Sequence, residues 1–339
     1  MNDNMYSDMK FKYDINKYNP KKMMGIPAVF FAAALVIVII SFATCGLPVT
    51  PGIDFAGGTA VTIHSDQTQE QIEAYFAGYD LKSIDSGVGG SYYLKFGPMD
   101  NAAMLAFNEY ILAGYPDAGI DQIGASFGST LQTQALIAIL VAFLGMAVVV
   151  FIAFRKLIPA FTVVFAAVAD ITITAAVMNI TGIELSLATT AALLMLIGYS
   201  VDSNILLTTK VLKRQGNSEE KFTGAFHTGF IMTSTTFCAI LAMFIVSLIG
   251  QVQTLYTISA VLLIGLLSDF VFTWAFNAGA LRLYLAKINP KAKYRKEKAP
   301  AADNAQPSEE KQPAKTAKPQ QNKQKSNQPK NKTKRGGKR

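Results

Sequence analysis

The sequence predicts an α-helical membrane protein: six spanning helices, with a small α+β domain between the first and the second. Three observations predict it. Six apolar stretches are each long enough for a helix to cross ~30 Å of hydrocarbon, which takes ~20 residues. One polar stretch, 48–128, holds ten acids and two bases. Every other sizeable polar stretch is rich in Lys or Arg, and bases mark the cytoplasmic side of a membrane. The acidic domain is therefore expected outside the cell membrane, and both termini inside.

Residues 1–23 are polar, with Lys10, Lys12, Lys17, Lys21 and Lys22 leading into the first span, 24–47. That span reads as a retained helix. Its apolar run exceeds the 7–15-residue core of a secretory signal, and no A-x-A site follows. The residues before Cys45, Phe42-Ala43-Thr44, match a lipoprotein cleavage box poorly.

Within 48–128, Thr59–His64 alternates with Val61 and Ile63 on one face, as a half-buried strand does. Thr68 and Gln71 form a capping box ahead of Ile72, Tyr75, Phe76 and Tyr79, spaced for a helix. Leu81–Ser86 reads as a second strand, Gly87–Gly90 as a turn, and Tyr92, Leu94 and Phe96 as a third strand. Asp100 caps a helix with Met104, Phe107 and Ile111 on one stripe. Ile123, Ala125 and Phe127 alternate in a last strand running toward the second span. The order β-α-β-β-α-β is the ferredoxin-like one. Its expected core is Val61, Ile63, Ile72, Phe76, Leu94, Phe96, Phe107 and Ile111.

The remaining spans, within 129–286, are Leu131–Phe154, Leu157–Ile180, Leu185–Thr209, Phe222–Ile249 and Thr254–Leu285. Arg155-Lys156 makes an inner turn, Asn179–Glu184 an outer one, and Lys210, Lys213, Arg214 and Lys221 mark the next inner loop. From Lys287 onward there are seventeen Lys/Arg against four Asp/Glu. This stretch, 287–339, carries +13 of a total of +8, so the rest of the chain is at −5. Its Lys-Gln-Pro-Ala-Asn composition cannot bury enough surface to fold. It is read as a disordered cytoplasmic tail, open to anionic lipid or the ribosome, or solvated with no specific partner. No specific nucleic-acid site is read in the chain.

Enzyme chemistry of the soluble type is excluded by what is missing. There is no P-loop and no nucleophile elbow, and Gly57-Gly58 is a turn outside any G-x-G-x-x-G pattern. Cys45 and Cys238 offer neither a disulfide framework nor metal-ligand spacing. No cofactor or metal is expected.

Three acids lie inside spans: Asp170, Asp202 and Asp269. A carboxylate at the bilayer centre costs roughly 2.5–3.5 kcal/mol on insertion scales, so such an acid is a functional candidate by default. Asp202 sits among Gly198, Ser200, Ser203 and Asn204, small and polar residues that let another helix approach. An acid with hydroxyl neighbours and no fixed cation can hold a proton when dry and release it when water arrives. Proton-relay candidates are therefore Asp202, Ser200 and Asp269, the last beside Ser268 and Thr273. Thr235 and Thr236, from the run Thr233–Thr236, join them. Asp170 is assigned to helix packing, and His227 to an incidental interfacial position. The bland reading of all three acids is that they bond adjacent helices; that of the threonines is that they bond their own backbone.

Two motifs carry a resemblance to a known family. Gly52-Ile53-Asp54-Phe55-Ala56-Gly57-Gly58-Thr59 resembles the G-x-D-F-x-G-G-T signature of SecF, and Gly198–Asn204 resembles its fourth-span motif. The resemblance covers about 25–285 and is specific to archaeal SecF in the Asp202 register and the ending Ala278-Gly279-Ala280-Leu281-Arg282. It implies an RND-superfamily half that works with SecD, assisting unfolded preproteins through the Sec channel with the proton gradient. Gly52, Asp54, Phe55, Gly57, Gly58 and Thr59 would then be a hinge between the first span and the domain. Bacterial members place the fourth-span Asp at the position of Ser203 and an Arg at that of Gly229, so their paired Asp–Arg switch does not transfer. The competing readings are an RND-type half that moves small molecules or lipids, and a membrane scaffold that conducts nothing.

Overall fold

The computed structural model describes residues 18–87, 89–213 and 218–288. The first seventeen residues, four residues of the basic loop after Lys213 and the tail from 289 lie outside them, so the reading of the tail is not addressed.

The α+β domain is built as its periodicity requires. Strands β1 (Gly58–His64), β2 (Leu81–Ser86), β3 (Ser91–Phe96) and β4 (Gly119–Ile123) form one sheet in the order β2-β3-β1-β4, with every neighbouring pair antiparallel. Val61 pairs with Leu94 and Ile63 with Tyr92, which fixes the face that Val61, Ile63, Leu94 and Phe96 share. Helices α3 (Gln69–Tyr75) and α4 (Asn101–Gly114) cover that face. The Thr68–Gln71 capping box forms, and Asp100 accepts a hydrogen bond from the Ala103 amide at 2.7 Å. All eight predicted core residues are buried in one cluster. The opposite face carries no helix.

Six helices are long and apolar enough to cross a membrane: α1 (Pro20–Cys45), α5 (Ala125–Phe154), α6 (Leu157–Thr181), α7 (Leu187–Lys213), α8 (Ser218–Ile249) and a sixth span, Gln253–Ile288. The sixth runs as α9 (Gln253–Val271), a π-helical turn (Phe272–Asn277) and α10 (Ala278–Ile288). Asn19 caps α1 ahead of Pro20, whose missing N–H costs nothing at a helix start. Arg155 takes a left-handed conformation (φ 50°) to close α5, and α6 starts two residues later. About half of α6 and of α7 is buried, against 11% of α8; α6, α7 and the sixth span form the centre.

One predicted element differs. Ala125 and Phe127 do not extend the last strand: β4 ends at Ile123, and α5 begins at Ala125 with Gly124 as its N-cap. The competing feature is a close approach. A Cβ at Gly128 would lie 2.8 Å from the Phe55 carbonyl oxygen, so the first turn of α5 packs directly on the short helix α2 (Ile53–Ala56). Phe127 is exposed on the other side.

Gly58 opens β1 at φ 144°, where a Cβ would stand 2.4 Å from the Phe96 carbonyl oxygen. Gly58→Ala is expected to destabilise the domain by about 1–3 kcal/mol, since only glycine adopts that backbone without strain. Gly78→Ala, with open space and no unusual φ, is the control. Thermal unfolding of the full chain in detergent separates the two.

Candidate functional site

The centre of the six helices holds a polar seam. Asp170 of α6 is fully buried; its Oδ2 accepts a hydrogen bond from Ser200 Oγ of α7 (2.6 Å) and its Oδ1 from Ser268 Oγ of α9 (3.1 Å). Asp269, 1% exposed, accepts from Ser203 Oγ (2.8 and 3.0 Å) and Thr273 Oγ1 (3.1 Å). Below them Asn204 Nδ2 donates to the Ser200 carbonyl at 2.7 Å, and Asn277 Nδ2 donates to Asn204 Oδ1. Three spans thus meet through side chains alone. The ion pairs Lys82–Asp80 and Lys95–Glu184 lie away from these carboxyls.

The predicted relay residues separate into two groups. Ser200 and Asp269 belong to the seam. Asp202 does not: it is exposed on the opposite face of α7. Thr235 and Thr236 each donate to the Met232 carbonyl of their own helix, the ordinary behaviour of a hydroxyl in a span. Asp170, assigned to packing, bonds both neighbouring spans and shares the seam with Asp269. Sequence reasoning missed Asn277 and Thr208. Their signal was spacing: Asp269, Thr273 and Asn277 fall four apart on the sixth span, and Ser200, Asn204 and Thr208 do so on α7.

The signature motif lies at the other end of α7 and is anchored there. Gly52 N–H donates to the Leu185 carbonyl, and Leu185 N–H to the Thr50 carbonyl, both at 2.8 Å. Asp54 Oδ2 accepts from the Leu187 amide at 2.7 Å, so this carboxylate caps α7 from 133 residues away. Phe55 is buried with Leu185, Leu193 and Met178. Gly57 (φ 79°) leaves room for Ala125. Asn179, in the last turn of α6, donates to the Pro48 carbonyl (2.9 Å) and accepts from Ser41 Oγ (3.2 Å). A second tie runs from Lys95 of β3 to Glu184 at 2.9 Å, with both side chains mostly buried. The residues predicted as a hinge, Gly52 to Thr59, therefore join the domain to the start of α7 at several points.

Between the helix-free face of the sheet and the loops after α6 and α8 is a cleft of about 790 Å³, lined by Thr62, His64, Tyr93, Glu184 and Gln251 among others. Burial, then the nearby acids Asp121, Asp54, Glu184 and Asp85, push the Tyr93 hydroxyl up to about 12; the cleft itself holds Lys95 and His64 beside Asp85 and Glu184.

Residues 112–287 match the family described as protein export membrane protein SecD/SecF, C-terminal. A protein-export membrane protein SecF of Methanolacinia petrolearia is 52% identical over 278 residues, covering 82% of this chain and 98% of that one. The chain belongs to the SecF family. The SecF of Pyrococcus furiosus is 43% identical over 279 residues, 79% of this chain and 92% of its own. In structure the chain is similar to SecDF, a translocon-associated membrane protein from Thermus thermophilus, with a TM-score of 0.61 and 20% identity over 80% of this chain. It spans about 40% of that SecDF chain, and at this identity the likeness is one of fold.

Membership makes this a multi-pass membrane protein of protein export, and it gives the two departures from the bacterial pattern a physical reading. Ser203, at the bacterial aspartate position, is buried and bonds Asp269. A Cβ on Gly229 would lie 2.2 Å from Trp274 Cζ2. The indole fills the space, and an arginine has no room there in this SecF.

Proposed function

We propose that this SecF chain works as one half of a pair with SecD, assisting unfolded preproteins across the membrane through the Sec channel at the expense of the proton gradient. The α+β domain lies outside the cell and both ends inside. The observation that carries the reading is the placement of Asp202. It sits two residues past the midpoint of α7, on a stripe with Ala191 and Gly198 that stays exposed among the described residues. A carboxylate facing hydrocarbon at that depth is costly, whereas a stripe of small residues suits a second helix at close range. SecD supplies that helix, and Asp202 lies at the contact between the two halves, where a rearrangement can hand it a proton. The cleft under the sheet receives the emerging chain. The tail's surplus of bases suits anionic lipid or ribosomal surfaces.

The test is Asp202→Asn, which keeps size and hydrogen bonding but cannot titrate. The variant is expected to assemble with SecD and to lose the part of reporter export that an uncoupler abolishes in the wild type. Export at the wild-type rate with unchanged uncoupler sensitivity would reject a proton role for Asp202.

A further inference from the structure

We infer that Asp170 and Asp269, extended by Asn204, Asn277 and Thr208, form a second proton-binding site, hydrated and enclosed within this one subunit. The inference deepens the proton-coupling reading and rests on it for its purpose, but its chemistry is independent of Asp202.

The first observation is the pairing. The two carboxyls come from α6 and α9, and each is fixed by two hydroxyls, Ser200 and Ser268 for one, Ser203 and Thr273 for the other. Asp202 points away from them on α7. The bases of α7, Lys210 and Lys213, are in its last turn, His227 is in the third turn of α8, and Cys238 is exposed. Two carboxyls sharing one buried site with hydroxyls titrate as one proton-holding unit.

The second observation points to a ligand. Asn277 Oδ1 and Thr208 Oγ1 are completely buried, yet neither has a hydrogen-bond partner among the described residues. Asn277 is itself bonded into the seam through Asn204, which reaches Ser200 and hence Asp170. Thr208 lies one turn further along the same face of α7. It does not use its hydroxyl to bond its own backbone, as Thr162, Thr174 and Thr190 do. Buried polar atoms without partners are rare in native proteins, and a water needs a few polar partners to be held. Asn277 Oδ1 as acceptor and the Thr208 hydroxyl as donor or acceptor supply them. The result is a chain of exchangeable hydrogens from the carboxyl pair toward the end of α7 that carries Lys210. The π-helical turn Phe272–Asn277 lies between Asp269 and Asn277. Such turns recur at functional sites, where the wider backbone re-aims side chains.

Infrared difference spectroscopy of the full chain in lipid, taken between acid and alkaline pH in H₂O and D₂O, tests this. Expected is a carboxylic-acid C=O band that titrates, shifts in D₂O, and is lost in both Asp170→Asn and Asp269→Asn but kept in Asp202→Asn. The band reports directly on the wild type, so it remains decisive if one variant fails to fold. Exchange of its proton for deuterium should slow by roughly tenfold or more in Thr208→Val/Asn277→Leu, which removes the groups that hold the water. No such band at any pH, a band that responds to Na⁺ and not to pH, or an exchange rate untouched by the double variant would each overturn the inference. Because Asp202→Asn is read by export and the pair by its spectrum, either proposal can fail alone.

Discussion

Phe76→Ala is expected to unfold the α+β domain and leave the six spans folded. Phe76 is completely buried and its ring centroid lies 4.9–6.3 Å from those of Tyr75, Phe96, Phe107, Tyr110 and Tyr115. Among the described residues no other side chain of this domain meets as many rings. Truncating a buried Phe to Ala costs about 3–5 kcal/mol. A small domain has a total stability on the order of 0.05–0.15 kcal/mol per residue, so the loss approaches all of it. Limited proteolysis in detergent should show new cleavages between β1 and β4 while the span fragments stay protected. Leu105→Ala, at a position 72% exposed on α4, should leave the pattern unchanged. A Phe76→Ala chain as resistant as the wild type would mean that the spans hold the domain together.

Asp54→Ala is expected to abolish gradient-dependent export while both parts remain folded. The substitution removes the acceptor of the Leu187 amide, a loss worth about 0.5–2 kcal/mol at a helix start, and with it the carboxylate that complements the positive end of α7. That is too little to unfold a six-span protein. It is enough to loosen the start of α7 from the domain on one side, leaving the Gly52 and Leu185 backbone bonds and the Lys95–Glu184 pair as the remaining polar ties. Asp54→Asn keeps an acceptor oxygen and should retain most activity. The check is reporter export together with disulfide formation between cysteines placed at 95 and 184. Wild-type export from Asp54→Ala, with the cysteine pair forming normally, would show that the cap transmits nothing.

What the sequence made legible follows from periodicity. Alternation at Val61/Ile63 and Leu94/Phe96, and the stripe Ile72–Phe76, state which side is in, because a polar residue occupies the other side. The spans lack that contrast. On α7 nearly every position is apolar or small, so the sequence shows Asp202 without showing its direction, and the face had to come from Ser200, Ser203, Asn204 and Thr208 taken together. Asp170 was obscured for the same reason: its neighbours Ala169 and Ile171 look alike from either side. The reach of Asp54 to Leu187 was beyond any local pattern, since 133 residues separate them. Ala125 and Phe127 continued an alternation by chance, and the tight packing of Gly128 on Phe55 decided for helix.

The attachment of Asp54 to the first turn of α7 has a geometric consequence. The helix has 27 residues, and Ser200, bonded to the buried Asp170 carboxyl, stands at its middle, roughly 20 Å from Leu187 at 1.5 Å per residue. A rotation of α7 by about 10° around that fulcrum carries Leu187, and the domain fastened to it, through roughly 3.5 Å, close to the advance of one residue along an extended chain. Under the proposed coupling, a tilt of that size would carry the domain through about one residue of an extended polypeptide.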